Sequence, residues 1–214
     1  MLLLPLFLLF SSCFGLDLDI ALNADGSGTV TLEYRVSQEM DALGRLDGNE
    51  RWNTIPVGMA DFQRTIDRLP DMRLVSFSSR QGARDIIVSA RMEFASIQGL
   101  MAFLDASGQR SSFAFNPGGS FGSHITLTLS DGVNVTNPEL AALLAVISEG
   151  YTVSMSMSVP PLSIGNLAVS DSQGRSLTAM PQSGFETTGR RVAFSVPLYE
   201  VLTAPEGLLV EFRW

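Results

Sequence analysis

Leu16 to Val36 reads LDLDIALNADGSGTVTLEYRV, and the reading of its two halves decides the fold. Leu16, Leu18, Ile20 and Leu22 alternate with Asp17, Asp19, Ala21 and Asn23, and beyond Asn23-Ala24-Asp25-Gly26-Ser27-Gly28 the residues Val30, Leu32, Tyr34 and Val36 alternate with Thr31, Glu33 and Arg35. Successive side chains of a strand point to opposite faces, so each run has one dry face and one wet face. The Asn, Asp, Gly and Ser between them suit turn geometries. The stretch therefore predicts an antiparallel hairpin with charged groups on its solvent side.

Working outward, the period changes to that of a helix at Met59, Phe62, Ile66 and Leu69, where Pro70 ends the pattern. A second hairpin is predicted over Leu74 to Ser79 and Asp85 to Glu93, then a second amphipathic stripe on Ile97, Leu100, Met101 and Leu104. Ser111 to Phe115 and Ile125 to Ser130 form a third strand pair around the glycine-rich NPGGSFGS. Asn137-Pro138 opens a third helix, because Asn caps free amides and Pro fits the first helical position. That helix is apolar nearly all round, which predicts a central or covered place. Tyr151 to Val159 alternates again, and short strands follow at Leu167 to Ser170, Ser176 to Met180, Val192 to Val196 and Leu208 to Trp214, with a helical turn at Pro197 to Leu202. Trp52, in a polar segment, reads as a plug at the edge of the core. The predicted fold class is α+β: a curved antiparallel sheet built from hairpins, with three amphipathic helices on its apolar face.

Composition narrows the function classes. The chain has 214 residues, 45% of them hydrophobic, enough for one sizeable core. Its net charge is −8, which disfavours a nucleic-acid partner, since phosphate contacts need a concentrated positive surface. All basic residues are arginine. The single Cys and single His exclude an internal disulfide and a multi-histidine metal centre, and no cofactor is expected.

Leu2 to Phe10 is an apolar run followed by Ser11, Ser12 and Cys13, the order of a signal-peptide core and cleavage site. The run is shorter than the ~20 residues a membrane-spanning helix needs. Phe10-Ser11-Ser12-Cys13 resembles a relaxed bacterial lipobox, in which the cysteine receives an acyl anchor. The alternatives are ordinary cleavage before Leu16, which releases a soluble secreted protein, and no processing. No Lys or Arg precedes the run, a departure from the usual signal peptide that a start codon assigned too far downstream would explain. The expected organisation is a signal peptide over 1–12 and a single domain over 13–214.

Other motifs carry less. Gly118-Gly119-Ser120-Phe121-Gly122 has the spacing of a serine-hydrolase elbow, but a strand pattern follows where that chemistry needs a helix, and His124 is the only base of its kind. Asp17, Asp19 and Asp25 lack a calcium-loop register and read as wet-face and turn carboxylates. Asn134-Val135-Thr136 has the form of a glycosylation sequon, with helix initiation the simpler account. The alternating segment ending in Trp214 resembles the last strand of an outer-membrane barrel, which the intervening helices disfavour.

The opening hairpin directly after a cysteine, its Asp-Gly turn, and RDIIVSARMEFASIQGLMAFL, a strand ending in Glu-Phe before a Ser-Ile-x-x-Leu helix, together resemble the LppM-like domain of bacterial envelope lipoproteins. The resemblance covers about 13–130, leaves a strand-rich part at about 131–214, and shows no counterpart of the C-terminal membrane helix of some members. It implies an envelope-anchored α+β domain with lipid or glycolipid binding and no catalytic residues; together with the lipobox-like residues, the expected place is the periplasmic or outer surface, held by an acyl group on Cys13. Leu143, Leu144, Met155 and Met157 are the candidates for lining an acyl pocket between sheet and helices, and they suit plain core packing as well. The expected function is non-enzymatic, with a lipid or an envelope protein as partner; an assembly role in an envelope complex is the alternative.

Overall fold

A computed structural model of the chain describes residues 14–38, 41–42, 56–105, 111–115, 123–130, 137–159, 167–171, 184–188, 190–204 and 208–213. The fold is α+β. The predicted hairpin forms β1 (Phe14–Leu22) and β2 (Gly28–Ser37), in register from Phe14 opposite Val36 to Leu22 opposite Gly28. The alternation places Leu18, Ile20, Leu22, Val30, Leu32, Tyr34 and Val36 in the core. The turn is closed by the Asn23 amide donating to Ser27 O at 2.8 Å, with Gly26 at φ 86°.

The second hairpin, β3 (Met72–Gln81) and β4 (Asp85–Phe94), joins this one through β2 and β4. On the other side of β1 lie β7 (Thr152–Ser158), β10 (Arg191–Pro197) and β9 (Gly184–Thr188), giving a seven-stranded sheet of order β3-β4-β2-β1-β7-β10-β9. Every neighbouring pair is antiparallel except β1 and β7, which are parallel. Sequence periodicity fixes which face of a strand is dry but does not name its neighbour, so the hairpin expectation missed this pairing. It also missed β9 and the second sheet, in which β5 (Ser111–Ala114), β6 (His124–Ser130), β11 (Leu208–Arg213) and β8 (Leu167–Asp171) take the order β5-β6-β11-β8.

The dry face of the large sheet is covered by helices and by the small sheet together. Helix α1 (Met59–Ile66) lies on β3, with the Phe62 and Phe77 rings 5.3 Å apart. Helix α2 (Ile97–Leu104) bridges β3, β4 and β5, and its start is capped by Ser96 Oγ, which accepts from the Gly99 amide at 3.1 Å. Helix α4 (Leu198–Thr203) contacts β10, β7 and β6, and α3 (Pro138–Ile147) packs on α4. Phe194 of β10 and Phe212 of β11 join the sheets, with ring centroids 6.2 Å apart. Burial pushes the Tyr34 phenol well above its ordinary range, since the charged form would be poorly solvated there, and its hydroxyl donates to the Pro56 carbonyl.

Asn137 caps α3 as predicted, its side chain accepting from the Glu139 amide at 2.9 Å. The expected all-round cover of that helix is corrected: Leu144 is buried, but Leu143 is 50% and Val146 70% exposed. The helix meets α4 along one side only, so an apolar sequence there does not make a central helix. Trp52, Ser120, Asn134, Trp214 and the strand expected over 176–180 lie outside the described residues.

Gly28, the first residue of β2, has no room for a side chain. A Cβ there would lie 2.1 Å from the Ala21 carbonyl oxygen and 2.4 Å from Phe94 Cζ, so backbone would have to move. Gly28→Ala is expected to lower stability by about 2–3 kcal/mol, read from the midpoint of urea unfolding.

Candidate functional site

The wet face of the large sheet, opposite the helices, carries the site. Strands β1, β2, β7 and β10 alternate there as they do on the dry side, so every second residue is small, polar or charged. Asp17, Asp19, Thr31, Glu33, Ser154, Ser156, Arg191 and Ser195 line an open groove of about 510 Å³. The parallel register makes it: Asp17 lies beside Ser154 and Asp19 beside Ser156, while β10 brings Ser195 opposite Ser154.

One part of this lining is knit together. Ser156, only 4% exposed, donates to Asp19 Oδ1 at 2.8 Å and accepts from Arg191 Nη2 at 2.9 Å, and Arg191 also reaches Asp19 Oδ2 at 3.4 Å. Ser154 and Ser195 hydroxyls are 3.0 Å apart. The other part holds unneutralised charge. Asp17 sits directly opposite Glu33, and like charges across a strand pair destabilise the sheet. Glu33 accepts from Ser89 Oγ at 3.0 Å and has the Arg35 guanidinium 3.9 Å away, whereas Asp17 has no ion pair among the described residues.

The residues singled out from sequence fall in separate places. Cys13 lies outside the described residues, one position before Phe14, where β1 begins. Leu144, Met155 and Met157 belong to one hydrophobic core, each at most 4% exposed, and Leu143 points out of it. Met155 also borders the groove. His124 is the first residue of β6, paired with Arg213 in the small sheet and away from the groove. Asp25 accepts from the Ser27 amide and hydroxyl at 3.0 and 2.6 Å, and the Ser27 hydroxyl bond holds its carboxyl below the usual 3.8. Among the described residues no cluster of His, Cys, Asp or Glu is arranged to hold a metal ion. No described helix is long and apolar enough to cross a membrane.

Asp17 and Asp19 were legible as wet-face carboxylates. Their partners were not, because Ser154, Ser156, Arg191 and Ser195 stand well over a hundred residues downstream and join them only through the β1–β7 pairing. The Ser-x-Ser-x-Ser alternation on Ser154, Ser156 and Ser158 was the one signal of a polar strand face to come.

No family model matches this chain, and no curated protein does. Among solved structures it is similar to the folded domain of the Mycobacterium tuberculosis protein LppM, determined by NMR, with a TM-score of 0.44 and 10% sequence identity, over 94% of this chain and 90% of that one.

The Ser156 hydroxyl serves two partners at once, so removing it takes a hydrogen bond from a carboxylate and from a guanidinium, leaving them only their own 3.4 Å contact, without adding a clash. Ser156→Ala is expected to cost about 1–2 kcal/mol in thermal or urea unfolding, and Ser158→Ala, on the same strand without that link, clearly less.

Proposed function

We propose that this chain is a non-enzymatic, exported bacterial envelope protein, anchored by an acyl group on Cys13, that works as a binding module through the wet face of its large sheet. The observation that carries the reading is that the ladder of β1 already holds the two residues that follow Cys13. The first described pairs of β1, Phe14 with Val36 and Gly15 with Arg35, are full members of the ladder. A processing boundary at Cys13 leaves every described pair of β1 intact. Cleavage before Leu16 would remove both pairs and empty the place where Gly15 lies against Tyr151, so the soluble-release alternative fits the strand less well.

The mode of binding follows from the two faces. Leu144, Met155 and Met157 pack into the core, which favours recognition at the surface over storage of an acyl chain between sheet and helices. The groove offers carboxylates, hydroxyls and one guanidinium, a lining for a polar headgroup or a protein surface. The assembly role draws separate support from α3, where Leu143 and Val146 stand exposed side by side on one turn.

Metabolic labelling with a clickable palmitate tests the anchor. Label on the wild-type protein that disappears in Cys13→Ala, with the variant leaving the membrane fraction, is the expected result; label that survives the substitution contradicts it.

A further inference from the structure

We propose that the wet face of the large sheet is a self-complementary surface on which a second copy of this chain docks, an inference that rests on the reading of this face as the binding face and names its partner. The face is divided by charge. On β3 and β4 it carries Arg73, Arg80 and Arg91, all exposed. Arg73 pairs with Glu93, but Arg80 and Arg91 have no ion pair among the described residues. On β2 and β1 the same face carries Glu33, Asp17 and Asp19 with a single cation, Arg35, 3.9 Å from Glu33, so this half is net negative; Asp17 and Glu33 are opposed, and Asp17 has no ion pair among the described residues.

A twofold axis directed along the strands between β4 and β2 lays the partner's β2 over β4 and the partner's β1 over β3. The register puts Ser76, Arg91, Thr31 and Asp19 on one level of the sheet, with Ser78, Ser89, Glu33 and Asp17 on the next. Under the twofold, Arg91 faces the level of the partner's Thr31, between the partner's Asp19 and the partner's Glu33. Arg80 falls one level from the partner's Asp17, with the partner's Arg35 over Ile87 beside it, so Arg91 makes the better charge match of the two. Levels are ~7 Å apart, within the reach of an arginine side chain. Each contact occurs twice, as an isologous interface requires.

A second copy fits better than an anionic lipid surface, because a uniformly negative partner that satisfies the arginines would be repelled by Glu33, Asp17 and Asp19 on the adjoining strands β2 and β1. Four strands of this length present on the order of 600 Å² per copy, the low end for a specific interface. The dimer is therefore weak, driven by charge and sensitive to salt.

Sedimentation velocity of the full chain in mild detergent tests this, at roughly 20 mM and roughly 500 mM salt. Dimer at low salt should dissociate at high salt, with self-association weakened about tenfold or more. Arg80→Glu/Arg91→Glu and Asp17→Arg/Glu33→Arg should each be monomeric alone and associate when mixed, which a merely misfolded variant cannot do. A monomeric wild type at low salt, a dimer that ignores both salt and charge reversal, or a monomer that instead co-sediments with phosphatidylglycerol vesicles through Arg80 and Arg91 overturns the proposal. The same run on Cys13→Ala separates this outcome from loss of the anchor, since the dimer needs no acyl group.

Discussion

The parallel ladder between β1 and β7 is the contact on which the rest of the molecule depends. From Leu16 beside Val153 to Ala21 beside Ser158, it joins an N-terminal pair of hairpins to strands that begin more than a hundred residues later. Without it the sheet would fall into β3-β4-β2-β1 and β7-β10-β9, each with a smaller apolar face to keep dry. With it Leu18, Ile20, Met155 and Met157 lie side by side in one continuous core. Such a ladder closes a very long loop, and that entropy is recovered only when the helices and the small sheet cover the apolar face.

The same contact builds the wet side. Strand pleat makes the two faces inseparable: each buried Leu, Ile or Met on β1 and β7 fixes an outward Asp or Ser next to it. The hydrogen bonds from Ser156 to Asp19 and from Arg191 to Ser156 thus follow from core packing one residue away. A slip of one residue between β1 and β7 would bury Asp17 and Asp19 and expose Leu18 and Ile20, so the groove and the core share one register.

Much of this was legible in the sequence because it is local. The hairpin turns, the Asn137 cap, and the helices starting at Met59 and Ile97 all rest on residues within a few positions of one another. Pairing between distant segments left no such trace. Alternation on Val153, Met155 and Met157 announced a half-buried strand and was silent on whether β1 or another strand would lie beside it. Leu143 and Val146 mislead in the opposite way, since an apolar residue on a short helix looks the same whether a neighbour arrives or not. The groove was half visible: its acids stood in the opening hairpin, and its hydroxyls and guanidinium waited on the ladder.

Native-state hydrogen exchange across a denaturant series tests the central claim most directly. If the β1–β7 ladder holds the molecule together, the amides of β1, β2, β7 and β10 exchange with one opening free energy and one denaturant dependence. Amides of β7 and β10 that exchange through a separate, lower-energy opening while β1 and β2 stay protected would contradict it.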